Sequence, residues 1–484
     1  MVNVPSAKSE HESKTISYEE ISPRDGLKYF FEPKSVAVIG ASATPSKLGY
    51  NVLSNLIEGK FRGKVYPINP KADEILGLRC YKSILDVPDE IDLAVLIVPA
   101  KIIPEVLMDC VSKGVRAVII ESGGFAEIGG EGSMLQEKIR SIAKKERIRI
   151  VGPNCAGIVN THKNLITTFA KVKNLRKGGI SFITQAGIFA AGMLEIYGPR
   201  WGISKVITIG NKADVDEADM LEYLAEDPET KVVGMYLEGV SDGRKFLSAL
   251  KKTVLKKPVI ILKGGRTEEG KKAVSSHTAS LAGNAEIYDA AFKQCGAIKA
   301  ENLEQLFDFV RFFALQPSMK GNKIAVVTYA GSMGVLSVDR AVSLGLEIAE
   351  LSSTVLKKLK GIAFPWTSSF NPLDLSFLVT TEQYVESTRI FMKTEEINGI
   401  SLIVPALKVV EVGKAVSEVL QDQNTKPLVF CVPLGEYVID DIQKVEELGI
   451  PCYPTPERAV DALYASYKYY LYLRSREKHE YLVF

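Results

Sequence analysis

Histidine is scarce in this sequence and patterned cysteine is absent. The 484 residues include only four histidines and six cysteines. Cys80, Cys110, Cys155, Cys295, Cys431 and Cys452 form no CxxC pair, and none stands near a histidine at metal-ligand spacing. No metal site is therefore expected. Most of the cysteines sit beside apolar residues, which predicts buried free thiols in a reducing compartment. There is no run of 18 apolar residues, and the opening "MVNVPSAKSEHESKTISYEE" has no apolar signal core. A cytoplasmic chain with a polar, mobile stretch at residues 1–20 is the expectation. Neither sign of charge dominates: 60 basic residues face 58 acidic ones, a net charge of +2. That balance leaves no electrostatic footprint for nucleic acid or an anionic membrane.

What is present is core-forming material. Hydrophobic residues make up 46% and charged residues 24%, and the length suits about three domains. Short runs rich in Val and Ile ("SVAVIG", "KVYPI", "LAVLIV", "RAVIIE", "IRIVG") alternate with segments of helical period such as "GYNVLSNLIEG" and "IIPEVLMDCVSKG". Continuous apolar strands alternating with helices predict parallel sheets covered on both faces, an α/β doubly wound architecture. The pattern restarts at Gly178 ("GGISFITQAGIFAAGMLEI") and again at "KIAVVTYAGSMGVLSVDRAV". The predicted divisions are a tail at 1–20 and domains at 21–150, 151–316 and 317–484. The last two begin alike: Ile180–Gly187 can be laid over Ile324–Gly331, each reading as strand, tight turn and helix start.

The first glycine loop, "VAVIGASATPSKLGYNVLSNL", places Gly40, Ser42 and Lys47 between a strand and a helix, where backbone N–H groups and the helix end face a phosphate. It lacks the GxGxxG spacing. The acidic residue that an NAD site wants at the end of the second strand is also missing, because "KVYPINPK" ends in Asn69, Pro70 and Lys71. A cation there suits a ligand with extra phosphate on its ribose side. Coenzyme A and NADP both fit, NAD poorly. Ser122 in "ESGGFAE" follows a later strand of the same sheet, at the edge where such sheets bind ligands.

"KKAVSSHTASLAGN", residues 271–284, sets His277 among serines, a threonine and glycines. No apolar periodicity runs from Gly265 to Asn284, so a functional loop carrying a nucleophilic imidazole is predicted. Such an imidazole needs an acceptor to hold its tautomer, and Glu238 closes the apolar strand "VVGMYLEGV". A phosphorylated histidine would also need donors, which the turn Thr184, Gln185, Ala186 and Gly187 can offer at a helix start.

These stretches, with "VGPNCAGIVN", "TIGNKADVDEADMLEYL", "KGGRTEEGKKAVSSHTASLAGN" and "SSFNPLDLS", together resemble the alpha subunit of the NDP-forming acyl-CoA synthetases. More distantly they resemble the alpha subunit of succinyl-CoA synthetase. The resemblance spans nearly everything after Phe30. It implies a Rossmann-like CoA-binding domain followed by two flavodoxin-like domains. It implies coenzyme A and phosphate as substrates, and His277 as the phosphorylated residue with Glu238 as its partner. Ser42 and Lys71 fall at CoA-contact positions of the family, and Ser122 near one. ADP or ATP with magnesium would sit on an ATP-grasp beta subunit in a hetero-oligomer. Ala186 stands where relatives carry serine, and "AGSMG" at 330–334 where they read AGGPG. These two departures keep a catalytically impaired, CoA-sensing module as the alternative.

Overall fold

The computed structural model describes residues 26–278, 283–423, 425–433 and 435–480; at 188, 275–278, 423, 436 and 478–480 it describes the backbone alone. The predicted tail at 1–20 lies outside the described residues.

Each apolar run becomes a buried strand. The first sheet holds β1 (Ser35–Ile39), β2 (Lys64–Ile68), β3 (Leu93–Leu96), β4 (Ala117–Ile120) and β5 (Arg149–Val151), all parallel, in the order β2-β1-β3-β4-β5. Every residue of β1, β3 and β4 is buried, because helices cover both faces and the strands have no polar side to show.

The second sheet holds β6 (Ile158–Asn160), β7 (Leu165–Ile166), β8 (Lys177–Thr184), β9 (Ile203–Thr208), β10 (Val232–Leu237), β11 (Val259–Lys263) and β12 (Ile298–Ala300). Its order is β12-β11-β10-β8-β9-β6-β7. The first five of these are parallel, and β6 and β7 add an antiparallel flank against β9 that no motif predicts. The third sheet runs β14 (Glu347–Ile348), β13 (Lys323–Thr328), β16 (Gly399–Ile403), β17 (Leu428–Cys431), β18 (Cys452–Tyr453), with β15 (Leu373–Asp374) also pairing β13. In chain order, the short β15 set aside, the parallel strands of these three sheets follow 2-1-3-4-5. Each sheet therefore reverses direction beside its first strand, and that reversal opens a crevice at the carboxyl ends.

The duplicated start is visible in atoms. In the second sheet, the Thr184 hydroxyl accepts from the Ala186 N–H and donates to its carbonyl, both at 3.1 Å, and helix α2 (Gly187–Tyr197) follows. In the third, Thr328 bonds Ala330 in the same two ways, at 2.9 and 2.7 Å, before the helix Gly331–Leu344.

The units are packed together. Phe31 stacks on Tyr223 at 4.2 Å, and Asn55 donates to the carbonyls of Thr168 and Ala170 at 2.7 Å. Between the second and third sheets lies the helix Leu303–Leu315. Its Arg311 is buried against Asp308 and Glu446, each at 2.7 Å, and lies over the rings of Trp201 and Tyr453. All six cysteines are buried and unpaired. Among the described residues no helix is long and apolar enough to cross a membrane.

Candidate functional site

The first crevice forms where α1 (Leu48–Glu58) follows β1. Gly40 has a φ of 94°, and a Cβ there would overlap the Ile97 carbonyl. A Cβ on Gly49 would in turn overlap the carbonyl of Gly40. Two glycines thus let the helix start lie directly on the end of the strand. Asn69 ties two loops together: its Nδ2 donates to the Ala41 carbonyl at 2.8 Å and its Oδ1 accepts from the Lys71 N–H at 2.8 Å. Ser42 accepts from the Thr44 N–H at 3.0 Å, and Ser122 donates to the Val98 carbonyl at 2.7 Å. These three side chains shape the crevice. Lys47 and Lys71 stand exposed at its mouth, and among the described residues neither ammonium forms an ion pair.

Around this crevice the structure adds residues that the sequence reading does not single out. Glu127 folds back on the glycine turn: Oε1 accepts from the N–H groups of Gly124 (2.6 Å) and Phe125 (3.2 Å), and Oε2 from Asn211 at 2.6 Å. Burial would raise its pKa, but these hydrogen bonds outweigh it and hold the carboxyl below its ordinary value. Glu121, directly after β4, is 5% exposed, and neither carboxyl oxygen has a hydrogen-bond partner. Burial pushes its pKa well above the ordinary carboxylate value. The signal for Glu121 is the one that points to Glu238: an acid closing an apolar strand.

The second crevice surrounds Glu238, one residue beyond β10 and 3% exposed. Tyr236 donates to its Oε1 at 3.2 Å. The tyrosine's own pKa rises to about 12, through burial and then the nearby Glu238 charge. Gln185 Oε1 accepts from the N–H groups of Glu238 and Gly239. Thus the Thr184–Gly187 turn and Glu238 are joined by a side chain. Within the turn, the Gln185 N–H bonds the Tyr236 carbonyl at 3.3 Å and the Ala186 N–H bonds the Thr184 hydroxyl. The unengaged amides begin at Gly187, the first residue of α2. Lys263, at the end of β11, lies 4.7 Å from the Tyr288 ring centroid. Burial is the main cause that lowers its pKa to about 8; Glu238 opposes it, and Lys271, Arg266 and Lys212 add to it.

The long loop predicted between Gly265 and Asn284 is corrected in its first half. Residues Glu268–Thr278 form helix α3. Thr267 accepts from the Gly270 N–H at 3.0 Å, Glu268 and Glu269 occupy the first turn, and Val274 is the buried anchor. A cap, acids at the positive helix end and good helix formers suffice without an apolar stripe. His277 is on the last turn of this helix; its side chain, with those of 275–282, lies outside the described residues. Asn284 caps the next helix, Ala285–Cys295, by accepting from the Glu286 N–H at 2.7 Å.

The carboxyl ends of the two sheets meet. Asn211, beyond β9, bonds Glu127 and also Gln136, at 3.1 Å. A Cβ on Gly187 would lie 3.0 Å from that of Ala156. Helix α3 passes within 8 Å, Cα to Cα, of the turn Ala126–Ile128. The loops that carry Lys71, residues 122–127 and Glu238 thus lie at carboxyl ends that touch through Asn211, Lys212 and this helix.

Two domain families match this chain. Residues 34–161 match the CoA binding domain family, and 177–313 the succinyl-CoA ligase like flavodoxin domain family. An acetate–CoA ligase (ADP-forming) of Methanocaldococcus jannaschii is 45% identical over 464 residues, covering 94% of this chain and 65% of the relative. The ADP-forming acetate–CoA ligase II subunit alpha of Pyrococcus furiosus is 40% identical, covering 91% of this chain and 97% of that subunit. The chain belongs to the ADP-forming acetate–CoA ligase family. A solved structure, the dinucleotide forming acetyl-coenzyme A synthetase 1 of Ca. Korarchaeum cryptofilum in complex with phosphate and ADP, superposes with a TM-score of 0.87 at 34% identity, covering 93% of this chain and 98% of that one. The ligase-family chain described here thus spans about two thirds of its Methanocaldococcus relative and nearly all of its Pyrococcus one.

Proposed function

We propose that this chain is the alpha subunit of an ADP-forming acyl-CoA synthetase, converting acyl-CoA, ADP and phosphate to acid, ATP and CoA. The observation that supports this reading is the contact between the carboxyl ends of the first two sheets, one bearing a phosphate-suited lysine pair and the other a buried glutamate. Residues 21–150 bind coenzyme A, 151–316 carry the phosphoryl chemistry, and 317–484 form the second flavodoxin-like domain. Gly40 lets backbone approach the ligand. Lys47 and Lys71 contact its phosphates, with Ser42, Asn69 and Ser122 shaping the loops.

The chemistry is three displacements. A phosphate oxygen attacks the thioester carbonyl, the C–S bond breaks, and CoA leaves as a thiolate that takes a proton. An imidazole nitrogen of His277 then attacks phosphorus in the acyl phosphate, and the acid leaves as its carboxylate. Last, a β-phosphate oxygen of ADP takes the phosphoryl group, giving ATP and free imidazole. Glu238 accepts the other ring N–H and stabilises the imidazolium that forms. Fixed donors at Gly187 and the start of α2, within the Thr184, Gln185, Ala186, Gly187 turn, hold the developing charge. ADP and magnesium belong to an ATP-grasp beta subunit, reached by movement of the His277 segment.

The test combines this chain with a co-expressed beta subunit. ATP is expected from acyl-CoA, ADP and phosphate, together with acid-labile, base-stable labelling of the alpha chain by radioactive phosphate. His277→Ala should abolish both. Labelling that survives this substitution removes His277 from the mechanism, and CoA binding without any ATP formation would point to a sensing module.

A further inference from the structure

The peptide unit at Glu238–Gly239 is held by side chains at every backbone hydrogen-bonding atom. Its two N–H groups donate to Gln185 Oε1, that of Gly239 at 3.0 Å. The Glu238 carbonyl accepts from the Lys263 ammonium at 2.7 Å, and the Gly239 carbonyl from the Lys212 ammonium at 2.7 Å. Gln185, Lys263 and Lys212 are 2%, 4% and 6% exposed. Two buried cations spent on neutral carbonyls is an unusual expense unless something else nearby needs them.

Their charge is only partly balanced. Lys212 has Glu217 at 3.0 Å. Lys263 has only carbonyls, those of Glu238 and Gly264, and the Tyr288 ring; among the described residues no carboxylate reaches it within ion-pair distance. Gln185 completes the imbalance. Because Oε1 accepts two N–H groups, the amide orientation is set by its neighbours. Its Nε2 is then a donor that is buried and has no partner. A buried amide donor without a partner, on the turn that opens α2, and an ammonium whose hydrogen bonds all go to neutral carbonyls of the unit that Gln185 holds, are what an arriving anion would satisfy.

We propose that Gln185 Nε2 is a direct contact of the transferred phosphoryl group, and that Lys263 and Lys212 are positioning residues that clamp the Glu238–Gly239 unit under it. This rests on the reading of His277 as the phosphoryl carrier. It adds a side-chain donor and a two-lysine support to a site otherwise built from backbone amides. The clamp also fixes where the Glu238 carboxylate begins, so phosphate and imidazole are set by the same three side chains.

The experiment measures initial rates of ATP formation by the complete enzyme, varying phosphate and acyl-CoA separately, in Gln185→Glu and Lys263→Met. Gln185→Glu keeps an acceptor for both N–H groups and replaces only the orphan donor with an anionic oxygen. The expected result is a KM for phosphate raised at least about tenfold in each variant, as loss of a hydrogen bond to a charged group implies. The KM for acyl-CoA should stay within about twofold, since no removed contact belongs to the CoA crevice. A wild-type KM for phosphate in Gln185→Glu, or an equal rise in both KM values, overturns the proposal. If Gln185→Glu does not fold, Lys263→Met decides by the same criterion. Labelling of His277→Ala, run alongside, distinguishes failure of this inference from failure of the carrier reading.

Discussion

Glu121 and Glu238 occupy the same place in two sheets, each directly after a buried parallel strand, yet their surroundings set them apart. Glu238 has Tyr236 on its carboxylate and a clamped backbone. Glu121 has no partner on either oxygen, and burial drives its pKa up. Its folded-state pKa therefore lies above the unfolded value, so the folded state binds the extra proton. The resulting penalty is absent below the unfolded pKa and grows as pH rises from there toward the folded pKa. Glu121→Gln does not titrate. Its melting temperature is expected to match the wild type in acid and to gain on it progressively between about pH 5 and pH 7. A difference in melting temperature that is constant across that range would show that Glu121 is ionised and paired.

At the level of elements, small residues decide how closely helix ends approach strands. Helix α1 rests on the Gly40 carbonyl through Gly49, with no room for a Cβ. Gly49→Val is expected to push the helix start away, lowering stability by roughly 1–3 kcal/mol as other overpacked contacts do. It should also weaken CoA binding, because Lys47 directly precedes that helix and would move with it. Calorimetric titration with CoA on folded protein separates the two effects; unchanged affinity would detach α1 from the ligand. Helix α3 teaches the converse. Thr267, Glu268 and Glu269 start it without an apolar stripe, so periodicity alone misses it while end chemistry reveals it.

Over the whole molecule, three sheets of one strand order are held by buried polar ties. Arg311 joins the helix between the second and third sheets to Asp308 and Glu446, and Arg458 reaches Asp308 from the long helix Pro456–Glu480 at 2.6 Å. Removing one member strands the others. Arg311→Met leaves two buried carboxylates with a cation deficit and is expected to cost about 3–5 kcal/mol in denaturant unfolding. Loss of the third sheet's protection before the first sheet's, read by hydrogen exchange, would place the damage at this tie. Uniform stability would show the tie to be dispensable. Tyr469 on the same long helix bonds the Val254 carbonyl at 2.8 Å, so the chain's last described helix also braces the second unit.

The strands and their parallel pairing follow from the sequence alone, because a strand buried on both faces must be apolar throughout, and such runs are plain to read. Ligand loops at strand ends follow too, since Gly40, Lys71 and Glu238 break those runs with residues that a core would reject. The partners do not follow. Gln185 meets Glu238 across 53 positions, Lys212 meets Gly239 across 27, and Asn211 meets Glu127 across 84. Nothing local marks a lysine as buried, for its apolar stem suits surface and interior alike. Only the packing of one sheet's carboxyl edge against another's, which depends on every helix between them, determines which polar groups share a site.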